Sequence, residues 1–261
     1  ENIGQLDAST PSSTNVWYAL SSQADESYRR TIHELASLPT VNRICEIGGG
    51  ANPALDVDFV REQGIDYTVV DVSAAELEKA PADYNKVRTD ISQTTHDLDG
   101  SFDLIFSMWC CEHVRDAATF HQNIFKLLAP GGRSMHLFPT LYSPPFVLNW
   151  MMPEWLSERL LLLLQPHREP EGDHGKFPAY YSWCRGPSKG QLRRFESLGY
   201  QVDEYAAFFG HSGNVAFGSG YLNRIPPLRL LHEWLSRAMV RCPSPWLSTL
   251  SYMVLSRPQT D

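Results

Sequence analysis

The sequence predicts a doubly wound α/β fold built on a seven-stranded sheet, with a helical insertion on the substrate side. Three observations predict it. Short β-rich runs alternate with segments of helical periodicity, at a spacing that makes βαβ units and therefore a parallel sheet. Right-handed crossovers carry the helices to both faces of such a sheet. Finally, one run after another ends in a glycine turn or an acid, where doubly wound folds place ligands, outside the carboxyl ends of the strands.

The elements follow in order. Residues 1–15 are polar and read as loose chain. Trp17 and Tyr18 either fold over a ligand as a lid or pack against the domain. From Asp25 to Leu38, Tyr28, Ile32, Leu35 and Leu38 recur at helical spacing. The run Arg43-Ile44-Cys45-Glu46-Ile47-Gly48-Gly49-Gly50-Ala51-Asn52-Pro53 reads as a buried strand, a glycine turn and a helix start. Glycines there let a ligand approach the backbone closely. Asn52 suits an N-cap and Pro53 a first helical position, which predicts a helix from there to Glu62, stopped by Gly64.

Asp66 to Asp71 is the second strand, and Ser73 and Glu76 have capping-box spacing for a helix that Pro81 ends. Lys86 to Asp90 is the third strand and Phe102 to Trp109 the fourth. Asp116 caps a helix with Ala117, Phe120, Ile124, Leu127 and Leu128 on one face. Pro130-Gly131-Gly132 then turns the chain into a fifth strand, Arg133 to Phe138. Residues 139–186 break the rhythm with Trp150, Met151, Met152, Trp155, five leucines at 160–164, and a polar stretch holding His167 and His174. Ser188 and Gln191 repeat the capping-box spacing, opening a helix that ends at Gly199. Gln201 to Phe209 is the sixth strand, and after a helix around Pro226 to Met239, Thr249 to Ser256 is the seventh.

At 261 residues the chain suits one domain over 1–261. Its parts are an N-terminal cap helix (1–40), the half that holds the glycine turn and the strand-end acids (41–138), the insertion (139–186) and the last two strands (187–261). A composition of 43% hydrophobic and 20% charged residues is that of an ordinary soluble protein. A net charge of −8 with no basic block disfavours a nucleic-acid partner. Five cysteines, two of them adjacent, form neither an even framework nor a metal-ligand spacing, which suits a reducing, cytoplasmic location. No leader is expected, and the most apolar region, 137–164, is too interrupted by prolines and charges to span a membrane. No metal is expected either.

The glycine turn admits two ligand classes. A dinucleotide fingerprint needs a third glycine where Pro53 stands, and the carboxylate of Glu46 would repel a pyrophosphate. That carboxylate suits a ligand carrying an ammonium and a sulfonium. With Glu46, Gly48 and Gly50, Asp71, Asp90 and Glu112-His113-Val114 at these spacings, the sequence resembles the class I S-adenosylmethionine (SAM)-dependent methyltransferases, in the metal-independent small-molecule subgroup.

The resemblance implies a Rossmann-like, mostly parallel sheet closed by an antiparallel seventh strand. It implies SAM as cofactor, S-adenosylhomocysteine as product, and cofactor contacts from Glu46, Gly48, Gly49, Gly50, Asn52, Asp71, Val72, Asp90, Ile91, Ser107 and Met108. Asp71 would take the ribose hydroxyls and Asp90 the adenine amine, with Ile91 against the ring; each is otherwise a turn residue. His113 is the candidate base, or else a structural histidine, and His174 and His167 are the further candidates. Asn52-Pro53 departs from the family's frequent further glycine.

The expected function is methyl transfer to a hydroxyl, or an amine, of a small molecule such as a secondary metabolite or a sugar or glycan precursor. A cyclisation or dehydration on the same fold, or a silent SAM-binding partner protein, are the alternatives. The insertion is expected to form the acceptor pocket; the same apolar side chains would also suit a homodimer interface or contact with a membrane surface.

Overall fold

A computed structural model of the chain describes residues 14–95, 98, 102–141, 151, 178–210 and 226–259. Eight strands form one sheet: β1 (Asn15–Leu20), β2 (Arg43–Ile47), β3 (Asp66–Asp71), β4 (Asn85–Arg88), β5 (Phe102–Met108), β6 (Leu128–Pro139), β7 (Gln201–Phe209) and β8 (Leu250–Ser256). Their order is β1-β7-β8-β6-β5-β2-β3-β4. All neighbours pair parallel except β8, which runs antiparallel between β6 and β7. From β2 the chain winds one way to β3 and β4, and from β5 the other way to β6. The strand order therefore reverses between β2 and β5, which opens a crevice at their carboxyl ends.

Both faces of the sheet are covered, and the strands alternate between them. Ile44 of β2, Tyr67 and Val69 of β3 and Phe106 of β5 face a core that includes Tyr28, Ile32 and Leu35 of α1 (Ala24–Ala36). Cys45, Ile47, Val70 and Ile105 face the opposite core, with Phe120, Ile124 and Leu127 of α4 (Ala117–Leu127). Helices α2 (Val57–Gln63) and α3 (Ala74–Lys79) complete the first half, and α5 (Lys189–Glu196) and α6 (Pro226–Arg241) belong to the second.

Caps mark the helix starts as the sequence indicates. Ser73, Asp116 and Ser188 accept from the amides of Glu76, Thr119 and Gln191. Gly64 ends α2 in the left-handed conformation, at φ 67°.

Three expectations need correction. The sheet has eight strands, because residues 15–20 form an edge strand pairing with β7. Trp17 takes the packing role that the sequence favours over a lid: its indole N–H donates to Glu204 Oε1 at 2.9 Å and its ring packs on Phe208 and Tyr252. Second, α2 begins at Val57 with Asp56 as cap, so Asn52 and Pro53 lie in the turn before it. Third, Pro130, Gly131 and Gly132 lie inside β6, whose pairing with β5 shifts register between Phe102 and Leu104. Gly132 passes so close to the Ala129 and Phe102 carbonyls, each 2.9 Å from where a Cβ would stand, that no larger residue fits the bulge. Most of the insertion, including His167, His174, Trp150, Trp155 and the leucine run, lies outside the described residues.

Candidate functional site

A cavity of ≈ 530 Å³ lies at the carboxyl ends of β2 to β5. Ile47 and Gly48 reach it from β2, Asp71 and Val72 from β3, and Thr89 to Gln93 from the chain after β4. Trp109, Cys110, His113 and Arg115 follow from beyond β5, and Pro178 and Tyr180 close it from the returning end of the insertion. The cavity thus brings together Gly48, Asp71, Val72, Asp90, Ile91 and His113 among the residues that the sequence singles out.

The others sit beside it. Glu46 is buried on the opposite face of β2, where both carboxylate oxygens accept from the Ala54 amide at 3.0–3.1 Å and Oε2 also accepts from the Tyr67 hydroxyl. Its carboxylate therefore ties the glycine turn to the sheet. Burial pushes its pKa up to about 7, against the lowering effect of those hydrogen bonds. The same capture of the Ala54 amide explains why α2 starts late. Gly49 lies directly on this carboxylate: a Cβ there would be 2.8 Å from Glu46 Cδ. Gly50, at φ 42°, lies on Asp71, with a Cβ 3.0 Å from Oδ2. The Asn52 amide bonds the Gly49 carbonyl at 2.9 Å. Ser107 is fully buried, with Oγ 2.8 Å from His136 Nδ1. Met108 packs on the α1 side of the sheet.

Asp71 and Asp90 are both held in turns. Asp71 Oδ1 accepts from the Ser73 amide at 2.8 Å, and partial burial raises its pKa, with Glu76 pushing the same way. Asp90 Oδ1 accepts from the Ser92 amide and hydroxyl at 2.9 and 2.7 Å, and Oδ2 from the Gln93 side chain at 2.7 Å. A carboxylate has about four lone-pair positions, so both retain acceptor capacity for a ligand.

Glu112 and His113 lie in the short 3₁₀ turn after β5. The Glu112 carbonyl accepts from the Tyr180 and Tyr181 amides at 2.7 and 3.0 Å, which fastens the insertion's return to this turn. His113 Nδ1 lies 2.9 Å from the Pro178 carbonyl oxygen. A carbonyl can only accept, so Nδ1 carries the hydrogen and Nε2 the lone pair. Burial lowers the His113 pKa, and the Pro178 contact opposes that only in part. Nε2 stands 3.9 Å from Glu112 Oε1. Glu112 is itself buried, with Oε2 lacking a partner among the described residues, and burial pushes its pKa up to about 8. Near pH 7 both groups are therefore neutral, and the contact is no resting ion pair.

Two lining residues, Thr89 and Arg115, are not singled out by the sequence, whereas Trp109 stands at the end of the fourth strand and Tyr180 among the polar groups expected in the acceptor pocket. Thr89 follows β4 with a buried hydroxyl that finds no partner among the described residues. Trp109 adopts φ 56°, a left-handed conformation that strains a bulky residue and clusters at functional sites. Its place at the end of the fourth strand is what marks it in the sequence; the strain is visible only in the fold. Arg115 carries no motif at all. Among the described residues no three histidine, cysteine or acidic side chains converge on a metal-sized site. None of the described helices is long and apolar enough to cross a membrane.

Comparison with known proteins agrees with this geometry. No curated protein matches the chain. Among solved structures, phosphoethanolamine N-methyltransferase 2 of Haemonchus contortus, in complex with S-adenosyl-L-methionine, superposes with a TM-score of 0.55 at 15% identity. The alignment covers 90% of this chain and 53% of that one, so this chain spans about half the length of that enzyme. A SAM-dependent methyltransferase of Mesorhizobium loti matches with a TM-score of 0.50 at 18% identity, over 90% and 98% of the two chains. The cyclase SpnF matches with a TM-score of 0.52 at 15% identity, over 91% and 82%. A family model described as a methyltransferase domain matches residues 20–185. That is well over half of the chain, and with the doubly wound sheet it makes the protein a member of the class I SAM-dependent methyltransferases.

Proposed function

We propose that the protein methylates a hydroxyl of a small molecule, with His113 as the general base. The observation that carries this reading is the 2.9 Å contact of His113 Nδ1 with the Pro178 carbonyl, at the wall of the cavity that Asp71 and Asp90 share. It fixes the tautomer that leaves Nε2 basic, in a group that burial keeps neutral.

The residues present fit SAM. Asp71 offers acceptor capacity for two ribose hydroxyls, Asp90 for an exocyclic amine, and Ile91 an apolar surface for a ring. The Thr89 hydroxyl, without a partner among the described residues, is a polar group that a ligand would satisfy. The tightly packed glycine turn leaves backbone for the amino-acid end. Glu46 supports that turn from behind through Ala54, and Ser107 and Met108 support the strand end beneath. When bound, SAM supplies a methyl group activated by the sulfonium. The chain's part is then to hold the acceptor within ~3–3.5 Å in line with that methyl. Nε2 of His113 takes the proton that the acceptor oxygen gives up. An amine acceptor would need only positioning in its neutral form.

Pro178 and Tyr180 put the insertion's return at the cavity wall, which supports the insertion as the acceptor pocket; His167 and His174 in it are further candidate bases. The resemblance favours secondary metabolites or sugar and glycan precursors as acceptors. The shared fold of the cyclase SpnF supports a second reading, a non-methylating step at the same site, which would consume an acceptor without releasing S-adenosylhomocysteine.

The first test is the cofactor. Asp71→Ala should weaken SAM binding by ~1–3 kcal/mol through loss of charge-assisted hydrogen bonds. Calorimetry would refute the reading if affinity were unchanged, or if the parent bound NAD tightly. An acceptor screen that detects S-adenosylhomocysteine alongside methylated product then separates methyl transfer from the second reading.

A further inference from the structure

Helix α6 leaves a large part of its apolar surface outward, while His232, Met239 and Val240 are half-buried. The side it turns to the sheet carries Ser236, fully buried, whose Oγ bonds the His232 carbonyl at 2.7 Å and packs against Gly210. The side it turns outward carries Leu230, Leu231, Trp234 and Leu235, and the turn after it adds Trp246 and Leu247. These six are 44–65% exposed. A surface helix of a soluble domain ordinarily buries its apolar stripe. Here positions 230, 231, 234 and 235 form that stripe on the solvent side, so the outer face is shaped to meet something else.

We infer that this face docks on an anionic lipid bilayer, with α6 lying in the plane of the interface. Charge is the first argument. The chain as a whole carries −8, yet α6 has three arginines, Arg229, Arg237 and Arg241, against one acid, Glu233. Arg229 is paired with Glu233 at 3.7 Å, and among the described residues Arg237 and Arg241, both exposed, have no acidic partner. The apolar stripe thus sits in a locally positive field on an acidic protein. Anionic headgroups complement that field, and arginines can lay their stems along the apolar surface while their guanidinium groups reach phosphate.

Composition is the second argument. Leucines with tryptophans beside arginines are the residues that bind the headgroup and acyl boundary. With 16 residues, α6 is roughly 24 Å long at ~1.5 Å per residue, too short and too charged to span the bilayer, so it would lie on it. Area is the third. Two tryptophans and four leucines at about half exposure present on the order of 600 Å². That is at the top of the ~300–600 Å² range of the largest apolar patch on a monomer, where such patches are often functional, yet falls short of the ~800 Å² per partner of a standard protein interface.

The face also lies at the ligand end of the sheet. Gly210, against Ser236, follows the carboxyl end of β7, and the Pro245 carbonyl abuts Gly186 on the returning insertion. Ser248 accepts from the Thr140 hydroxyl just past β6. The inference does not depend on which reaction the cavity performs.

Vesicle flotation tests it, using the full chain with vesicles of phosphatidylcholine alone or mixed 7:3 with phosphatidylglycerol. The parent should float with the anionic vesicles and much less with the neutral ones. High salt should weaken the binding, since headgroup attraction is screened. Arg237→Gln/Arg241→Gln should lower anionic partitioning at least ~tenfold, and Leu231→Glu/Trp234→Glu should abolish it. Both double variants should keep the parent's circular dichroism and SAM affinity; if the Leu231→Glu/Trp234→Glu protein misfolds, the arginine pair alone decides. A parent that stays at the bottom of the gradient, or an arginine variant that floats like the parent, overturns the inference. So does a parent that light scattering shows to be a dimer and Leu231→Glu/Trp234→Glu to be a monomer, without vesicle binding in either, because the face would then belong to a second copy.

Discussion

Replacing His113 with alanine should lower turnover of a hydroxyl acceptor by about 10²–10⁴-fold, the usual worth of a positioned general base. SAM affinity should stay close to that of the parent, because the ribose and adenine contacts proposed for Asp71 and Asp90 would come from the ends of other strands. The loss should therefore fall on kcat, the mark of an interaction used only in the transition state. The pH profile adds a readout that a merely structural role would not move. A base must be unprotonated, and burial holds the His113 pKa below its ordinary value. In the parent, activity should therefore rise with pH through that lowered pKa and level off before the ~6.5 of a free histidine. The variant should lose this rising limb. Full turnover by His113→Ala would move the base elsewhere, His167 and His174 being next in line. A variant that loses its SAM affinity as well would make His113 a structural residue of the turn.

The sequence made most of this fold legible because its punctuation is local. Ser73, Asp116 and Ser188 cap helices through an amide three residues on, and Gly64 ends a helix by its own conformation; such signals need no partner distant in sequence. The failures were long-range. β1 is six residues beside a polar stretch, and only its pairing with β7, some 190 residues away, makes it a strand. Asn52 and Pro53 have the chemistry of a helix start, but Glu46 competes for the Ala54 amide and the Tyr67 hydroxyl completes its site.

The candidate site divides the same way. Asp71, Asp90 and His113 were visible because the topology of parallel strands puts their ends together. The strained backbone of Trp109 and the Thr89 hydroxyl, without a partner among the described residues, were not, because each exists only once the chain has closed around it. Glu46 shows the limit most clearly. Its residue type and spacing suggest a ligand contact; that its side chain, on the other face of an alternating strand, holds the turn is visible only in the fold.

The last expected result is that Glu112→Gln makes the protein more stable than the parent in mildly alkaline solution, by about 1–3 kcal/mol near pH 8.5, while the two differ little at pH 5. In the unfolded chain Glu112 titrates near its ordinary 4.5, whereas in the fold burial raises it to about 8. Between those values the native state holds a proton that the unfolded state has lost. Stability must then fall as pH rises, at up to ~1.4 kcal/mol per pH unit for one group. Above pH 8 the native state bears an ionised carboxylate whose Oε2 has no partner among the described residues, and glutamine removes that cost.

Glu46 contributes the same sign over a lower window, ending near pH 7. Its oxygens keep partners in Ala54 and Tyr67, so Glu46→Gln should bring a smaller gain. The buried His121 and His136 act oppositely, because burial lowers their pKa values and stability rises with pH until the unfolded histidines are neutral. The histidines, like Cys45, Cys110, Cys111 and Cys184, whose thiol pKa values burial raises, are common to parent and variant, so the difference between the two proteins isolates Glu112.

Scanning calorimetry of parent and variant from pH 5 to pH 8.5 is the measurement. At ~2–4 °C per kcal/mol for a domain of this size, the difference in Tm at pH 8.5 should be several degrees. Glu112→Gln should also retain activity at pH 7, where the parent's carboxyl is already neutral beside His113. A variant whose Tm drops equally at pH 5 and pH 8.5 would show that Glu112 is ionised and well partnered in the fold. It would then stand as a permanent counter-charge to His113, and the neutral pair that makes His113 an effective base at pH 7 would have to be given up.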